Sequence, residues 1–396
     1  MAPFDPTAAP PDANLPAPDA GARAHSGRLV ERIRAELEEA GGWLAFDRFM
    51  ELALYSPGLG YYSAGSPKLG EEGDFVTAPE LSPLFARCLA RQCAEVLERL
   101  EGGDVLEYGA GSGVMAAGIL RELDELGRLP ERYRIVELSA DLRQRQRETL
   151  RQRVPRLAER VEWLNAPPEG LTGVVLANEV LDAMPVHRFR VEEDGPRELG
   201  VIWRGGGFGW EPAAPASERV AREAARLQQA HGLYPGYESE LGLRACDWVR
   251  DLDTVLERGV ALLIDYGFPA PEFYHPQRNT GTLMCHYRHR AHGDPLVLVG
   301  LQDITAHVDF SAMAEAAHDA GLEVAGFASQ ADFLLGNGLT ELATADDPRE
   351  QLERANQVKR LVLPGEMGEL FKVLAVGREV PTPLRGFSLR DERHRL

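Results

Sequence analysis

The chain has 396 residues, of which 44% are hydrophobic and 27% charged, and its formal net charge at pH 7 is −19. These proportions are typical of a globular protein, and the length predicts one large elaborated domain or two closely associated ones. The negative charge argues against nonspecific binding to a phosphate backbone, so we expect no nucleic acid partner.

The cysteines and the apolar runs exclude further classes of protein. Cys88, Cys93, Cys246 and Cys285 form neither a C-x-x-C pair nor a zinc-binding spacing, and we interpret them as reduced, buried thiols. No apolar run reaches the ~20 residues of a membrane helix, so no membrane insertion is expected. Residues 1–26 lack the features of a secretory signal or a transit peptide and are predicted to be a disordered tail. The expected location is the cytoplasm of a bacterium.

Two N-terminal helices are predicted by apolar periodicity, over residues 29–40 and 46–55. A loop follows that is far longer than a typical connection, and its aromatic residues argue against disorder. It ends in the sequence DFVTAPE at residues 74–80, after which Ser82 is expected to cap a helix that reaches about Leu100. This helical region with its long loop is predicted to span the segment before the first core strand.

A glycine turn lies between a predicted strand at 104–108 and a predicted helix. Gly109, Gly111 and Gly113 follow Glu107 in the pattern E-x-G-x-G-x-G. Such a turn lets backbone N–H groups and a helix N-terminus approach a ligand closely. The spacing differs from the dinucleotide fingerprint G-x-G-x-x-G, and no lysine follows it as in a P-loop. The pattern resembles motif I of class I S-adenosylmethionine methyltransferases; a glycine turn without a ligand is the alternative.

Polar residues also end the next strands. Glu137 ends the second predicted strand, where a carboxylate can accept hydrogen bonds from both hydroxyls of a ribose. The apolar strand predicted at 173–179 ends in Asn178 and Glu179, and Asp182 follows. Because ligands of open α/β sheets bind beyond the carboxyl ends of the strands, these are candidate site residues, with capping of the next turn as the alternative.

The remaining chain alternates between strands and helices, which predicts a mostly parallel α/β sheet. A hairpin at 189–210 is expected to be inserted into this core. The predicted segments are 1–26 (tail), 27–100 (helical region and long loop), 101–190 (first half of the core), 191–257 (inserted hairpin and helices), 258–378 (second half, with a loop insertion at 268–308) and 379–396 (C-terminal tail).

The loop at 268–308 and the residues after it contain several histidines and aspartates. An H-x-x-H pair in a loop is a weak signal for a metal, and we expect none. Structural hydrogen bonding or contact with a substrate is the preferred interpretation, because a buried polar loop must satisfy its own groups. The residues concerned are His286, His289, His307, Asp303 and Asp309.

A set of stretches in fixed order is more specific than the glycine turn alone. They read FMELALYSPGLGYYS, EEGDFVTAPELSPLF, VLEYGAGSGVMAAGIL, VELSADLRQRQ, ANEVLDAMPVHRF, LLIDYGF, GTLMCHYRH, DITAHVDFSAM and MGELFKVLAVG. From about residue 40 to residue 377, the chain resembles the methyltransferase family called mitochondrial dysfunction protein A, or complex I assembly arginine methyltransferases.

The resemblance implies a Rossmann-like, seven-strand class I methyltransferase sheet with an antiparallel last strand, an N-terminal helical extension and an inserted second lobe. It implies S-adenosyl-L-methionine as cofactor and an arginine of a protein as substrate, in a respiratory complex I subunit or a bacterial counterpart. Tyr108 and Ala110 depart from the motif but leave its glycines intact, whereas the acidic tail departs from mitochondrial members. A small-molecule methyltransferase and a non-catalytic assembly factor are the alternatives; a monomer or homodimer is expected.

Roles in binding the cofactor are assigned as hypotheses. The three glycines of the turn approach the cofactor, and Glu107 meets its amino-acid end directly or through water. Glu137, with Leu138 beside it, holds the ribose, and Asn178 contacts the methionine side or the substrate. The residues expected to form a lid over the cofactor are Asp74, Thr77, Pro79 and Glu80.

An arginine methyltransferase also needs carboxylates near the methyl group. Carboxylates that pair with a guanidinium orient it and increase electron density on the attacking nitrogen. The candidate catalytic acids are Glu179 and Asp182, with Glu240 from the insertion as a third. Asp265 and Tyr266 are expected at a neighbouring strand end.

Overall fold

The structure is a computed structural model that describes residues 15–63, 77–380 and 382–396. Its helices are α1 (Ala20–Glu39), α2 (Phe46–Tyr55), α3 (Ala78–Leu81), α4 (Pro83–Arg99), α5 (Val114–Glu125), α6 (Ala140–Arg153), α7 (Glu218–His231), α8 (Leu243–Val255), α9 (Ala270–Phe273), α10 (Phe310–Asp319), α11 (Gln330–Gly336), α12 (Leu339–Leu342), α13 (Pro348–Val362) and α14 (Met367–Leu370). Its strands are β1 (Leu44–Ala45), β2 (Asp104–Tyr108), β3 (Tyr133–Val136), β4 (Val161–Leu164), β5 (Leu171–Asn178), β6 (His187–Glu192), β7 (Gly195–Arg204), β8 (Gly207–Ala213), β9 (Glu238–Leu241), β10 (Leu256–Phe268), β11 (Met284–Tyr287), β12 (Arg290–His292), β13 (Asp303–Thr305), β14 (Val308–Asp309), β15 (Glu323–Ser329) and β16 (Phe371–Arg378).

The chain folds into two compact units, each assembled from separate stretches of sequence. Unit 1 consists of the described part of Met1–Phe75 with Asp182–Arg244 and Pro271–His307. Unit 2 consists of the described residues of Val76–Leu181, Ala245–Ala270 and Val308–Leu396. The inserted lobe is thus built from two insertions and the N-terminal helices together, whereas the sequence predicted a single insertion at 191–257 and a separate loop.

Unit 2 contains the main sheet, with the strand order β15-β16-β10-β5-β2-β3-β4. The strands from β10 to β4 are parallel, and β16, the last strand of the chain, is antiparallel to both of its neighbours. The short β14 pairs with the end of β10. Central strands such as β5 are almost wholly buried, as expected for a sheet covered on both faces. This topology confirms the predicted seven-strand α/β sheet with an antiparallel last strand.

Unit 1 contains two smaller sheets, one with the order β1-β7-β6-β9 and β8 paired to β7, the other with the order β12-β11-β13. The single hairpin predicted at 189–210 is therefore incomplete, because β6, β7 and β8 are three consecutive antiparallel strands. Gly205 and Gly206 form the turn from β7 to β8, both with positive φ, as the tight turns of hairpins require. Apolar side chains from α1 and α2, including Phe46 and Phe49, pack into the core of this unit.

Two further expectations are corrected in unit 1. Helix α1 begins at Ala20, where Asp19 accepts a hydrogen bond from the Ala22 N–H, so the disorder predicted up to residue 26 does not extend over this helix. Ser26 is fully buried and donates to the carbonyl of Val299 at 2.7 Å. The loop predicted at 268–308 contains α9 and the sheet of β11, β12 and β13. Within the described ranges, no helix is long and apolar enough to cross a bilayer.

Candidate functional site

The glycine turn joins β2 to α5 in unit 2. Gly109, Gly111 and Gly113 have φ angles of 64°, 51° and 83°, a region that favours glycine. A Cβ atom on Gly113 would lie 3.1 Å from the Cα of Gln146, and one on Gly109 would lie 2.9 Å from Val180 Cγ2. The conformation and the available space therefore both require glycine here, and the turn presents backbone groups at the N-terminus of α5.

Glu107 is fully buried at the end of β2. The Tyr133 hydroxyl donates to Glu107 Oε2 at 2.6 Å, and Oε1 has no hydrogen-bond partner among the described residues. Burial raises the pKa of Glu107 to about 7, although the Tyr133 hydrogen bond acts in the opposite direction. Glu107 thus contacts Tyr133 of β3. Its contact with the amino-acid end of a cofactor stays a prediction.

The burial of Glu107 predicts a pH-dependent stability. An acid whose pKa is raised on folding binds its proton more tightly in the folded state. The free energy of unfolding should therefore fall as the pH rises from the ordinary pKa of 4.5 to about 7, and then stay level. From pH 5 to pH 8, the free energy of unfolding of the neutral Glu107→Gln variant should increase by about 2–3 kcal/mol relative to that of the parent protein. Urea unfolding of both proteins at these two pH values, without cofactor, measures this gain; an equal difference at both would contradict it.

Glu137 follows β3 and is held in place by its neighbours. Its Oε1 accepts a hydrogen bond from the Ser139 N–H at 2.8 Å, and its Oε2 accepts one from Gln146 Nε2 at 3.2 Å. The backbone carbonyl of Glu137 accepts a further bond from Arg143 Nε at 2.6 Å. A carboxylate has about four acceptor positions, so this one keeps acceptor capacity for the hydroxyls of a ribose. Leu138 beside it is 78% exposed, which leaves an apolar side chain for a ligand to cover.

The described part of the predicted lid reaches the glycine turn. The Ser112 hydroxyl, inside the turn, donates to the carboxylate of Glu80. Thr77 is the N-cap of α3, and Pro79 in that helix is buried. Glu80 therefore contacts the glycine turn, whereas the role of Thr77, Pro79 and Glu80 as a lid over the cofactor stays a prediction, and Asp74 lies outside the described residues.

The end of β5 carries a second group of polar side chains. Asn178 is buried and donates from Nδ2 to Glu179 Oε1 at 3.2 Å, and its Oδ1 has no hydrogen-bond partner among the described residues. Glu179 has a φ of +52°, which is uncommon for a residue with a side chain, and its N–H donates to the carbonyl of Ile264 in β10. Strained backbone of this kind occurs preferentially at functional sites, which makes Glu179 a stronger candidate than its sequence position alone did.

Asp265, in β10, fixes this turn from the neighbouring strand. Its carboxylate is buried and accepts hydrogen bonds from the Leu181 N–H at 3.0 Å and the Tyr266 N–H at 2.9 Å. The sequence placed Asp265 at a strand end, whereas β10 continues to Phe268, so Asp265 lies inside the strand and contacts the turn after β5 from there. We interpret it as a group that supports the conformation of Glu179.

The other two candidate acids belong to unit 1. Asp182 is 5% exposed, and its backbone carbonyl accepts a hydrogen bond from the Ala306 N–H. Glu240, in β9, is 2% exposed and accepts hydrogen bonds from the N–H and the hydroxyl of Thr282 at 2.8 and 2.9 Å. Burial raises the pKa of Glu240, although Arg188 lies 3.8 Å away and acts in the opposite direction. These contacts give Glu240 a structural function inside unit 1, and a catalytic role of either acid stays a prediction.

The histidines and aspartates of the 268–308 region do not converge on a common point. Among the described residues, the group whose ligand atoms lie close together is Asp47, His187 and Glu198. His187 Nδ1 lies 2.8 Å from Glu198 Oε1, and the other Glu198 oxygen accepts the Ala216 N–H. Arg244 contacts Asp47 at 3.1 Å. Protein donors hold these carboxylates, so we interpret the group as a network of ion pairs and hydrogen bonds.

Gln146 in α6 is a site residue that the sequence did not reveal. It bonds both the glycine turn and Glu137. Its helix is among the most polar of the chain, and only the packing of α6 shows that this one amide is buried.

The chain is similar to several known proteins. The family model described as "Putative S-adenosyl-L-methionine-dependent methyltransferase" matches residues 88–328. The protein arginine methyltransferase NDUFAF7 of Danio rerio mitochondria is 27% identical and the alignment covers 85% of this chain and 84% of that protein. The NDUFAF7 homolog of Drosophila melanogaster is 28% identical, with 91% and 87% covered. A crystal structure from Burkholderia thailandensis bound to S-adenosyl-homocysteine is 49% identical, with a TM-score of 0.93 over 97% of this chain and 100% of that one.

Proposed function

The chain belongs to the family of S-adenosyl-L-methionine-dependent methyltransferases, and we propose that the acceptor of its methyl group is an arginine side chain of a protein. Methyltransferase activity and the cofactor follow from the family and from the structure that binds S-adenosyl-homocysteine. The acceptor is suggested by relatives that are named protein arginine methyltransferases. A respiratory complex subunit is the substrate that we infer from the sequence resemblance, and the oligomeric state stays a prediction.

The residues of unit 2 fit the cofactor. The glycine turn offers backbone N–H groups without side chains in the way, and Glu137 is held with acceptor capacity for a ribose. Asn178 Oδ1, buried and without a hydrogen-bond partner among the described residues, suits a donor such as the ammonium of the methionine part. When bound, S-adenosyl-L-methionine supplies an electrophilic methyl group on a sulfonium sulfur.

The observation that carries the proposal is the position of Glu179. Glu179 directly follows β5, which pairs with β2, the strand before the glycine turn. Its backbone is left-handed, and its N–H donates to the carbonyl of Ile264. A guanidinium that pairs with this carboxylate would be oriented with one nitrogen free to attack. The methylated guanidinium then loses one proton, for which a carboxylate is a suitable acceptor. Positioning of the two reactants is the main contribution that such a site makes.

The experiment that tests the acceptor class uses S-adenosyl-L-methionine labelled in its methyl group. The purified protein is incubated with an extract of cells that lack its gene, and label is counted in the acid-precipitated protein and in the small-molecule fraction. We expect clearly more label in the protein fraction than in a control from which the enzyme is omitted. Label confined to small molecules would contradict the proposal and favour a small-molecule methyltransferase.

A further inference from the structure

A buried amide in α6 connects two parts of the cofactor site in unit 2. Gln146 is 0% exposed. Its Nε2 donates to the carbonyl of Gly111 at 3.1 Å and to Glu137 Oε2 at 3.2 Å, and its Oε1 accepts from Trp163 Nε1 at 2.9 Å. The helix lies so close to the turn at this point that a Cβ on Gly113 would contact the Gln146 backbone.

The chemistry of the three partners fixes the orientation of this amide. An indole N–H can only donate, whereas a backbone carbonyl and a carboxylate can only accept. The amide oxygen must therefore point to Trp163, and both N–H groups point to Gly111 and Glu137. A rotation of the amide by 180° would break all of these hydrogen bonds, so the arrangement has a single satisfied state.

We propose that Gln146 is a positioning residue that holds Glu137 in register with the glycine turn, and that Trp163 reports the binding of a ribose at Glu137. The inference rests on the proposed placement of the cofactor ribose at Glu137. The glycine turn and Glu137, which we assign to two parts of the cofactor, lie more than twenty positions apart in the chain, and the Gln146 side chain bonds to both. Without it, the Glu137 carboxylate loses the charge-assisted hydrogen bond on Oε2 and is held only by the Ser139 N–H on Oε1 among the bonds described above.

The same bonds give a spectroscopic signature. When ribose hydroxyls donate to Glu137, the carboxylate accepts hydrogen bonds from both the ligand and Gln146 Nε2. The amide then shifts relative to the Trp163 indole, whose ring is also covered by the Arg147 guanidinium at 4.7 Å. Ligand binding should therefore change the emission of Trp163, and the change should require both the tryptophan and the glutamine.

The binding test compares Gln146→Leu with Gln144→Leu, a matched control on the same helix whose amide is exposed and bonds Glu148. We expect calorimetric titration with S-adenosyl-homocysteine to give about 10- to 100-fold weaker binding for Gln146→Leu, and a change below twofold for Gln144→Leu. In a Glu137→Ala background, Gln146→Leu should weaken binding by a smaller factor than it does in the parent protein, because part of its effect passes through Glu137.

The outcomes separate this inference from the cofactor placement on which it rests. If Glu137→Ala binds S-adenosyl-homocysteine as tightly as the parent protein, the placement of the ribose is wrong. If Glu137→Ala weakens binding but Gln146→Leu behaves like Gln144→Leu, the role of Gln146 is refuted.

A second measurement does not depend on how the Gln146 variant folds. The change in tryptophan emission on adding S-adenosyl-homocysteine should disappear in Trp163→Phe, which keeps Gln146 and Glu137. An emission change of the same size in Trp163→Phe would overturn the proposal that Trp163 reports binding.

Discussion

Replacing Glu179 by glutamine is expected to lower the rate constant of methyl transfer about 100- to 1,000-fold, with a change in cofactor affinity below threefold. The amide keeps the size of the side chain but removes the charge that pairs with a guanidinium. Initial rates with labelled S-adenosyl-L-methionine and a protein substrate measure the first effect, and titration with S-adenosyl-homocysteine measures the second.

The chain offers a matched control for this substitution. Glu101 also has a left-handed backbone, with a φ of 63°, but it is exposed and precedes β2, at the amino end of the parallel strands. Glu101→Gln should leave the rate unchanged. The variant Glu179→Gly relieves the backbone strain while it also removes the charge. Equal rates for Glu179→Gln and Glu101→Gln would contradict the assigned role.

Replacing Gly113 by valine is expected to weaken binding of S-adenosyl-homocysteine by about 100-fold or more. The new Cβ would lie 3.1 Å from the Gln146 Cα, an atom of the backbone that cannot rotate away, so the turn must move. The positive φ of 83° adds strain of about 1–2 kcal/mol. Calorimetric titration measures the affinity, and thermal unfolding measures the loss of stability.

Gly127, at the other end of α5, separates these two effects. Its φ is +65°, and a Cβ there would meet nothing within 4 Å. Gly127→Val should therefore show a comparable strain but keep the affinity within about twofold of the parent protein. If both variants lose affinity equally, the loss comes from general destabilisation and not from the glycine turn.

The main sheet of unit 2 and helix α2 of unit 1 were predictable because their signals are local. Strand β2 and helix α2 have the predicted bounds, since a short apolar run ends at glycine in one case and an apolar stripe ends before Pro57 in the other. Strand β9 was missed because it has four residues and forms its hydrogen bonds with β6, far away in sequence. Unit 1 as a whole combines three separate stretches, and no local pattern announces which stretches will pack together.

For the candidate site, the sequence predicted positions relative to the strands, while the binding and catalytic roles stay predictions. Glu137 and Glu179 follow strands, and their places could be inferred from the general geometry of parallel sheets. The sequence did not show that Glu107 is buried under a tyrosine, that Glu179 has a left-handed backbone, or that Gln146 bonds to two site segments. Each of these features depends on packing between elements distant in sequence. For the same reason, sequence spacing could not tell that Glu240 bonds to Thr282 within unit 1.

The measurement that tests the central claim most directly is identification of the methylated amino acid. Protein labelled by this enzyme from S-adenosyl-L-methionine is hydrolysed completely, and its amino acids are separated and identified by mass spectrometry. The proposed function predicts label in methylated arginine, and its loss when the Glu179→Gln variant replaces the parent enzyme. Label in methyl-lysine or another residue, with none in arginine, would contradict it.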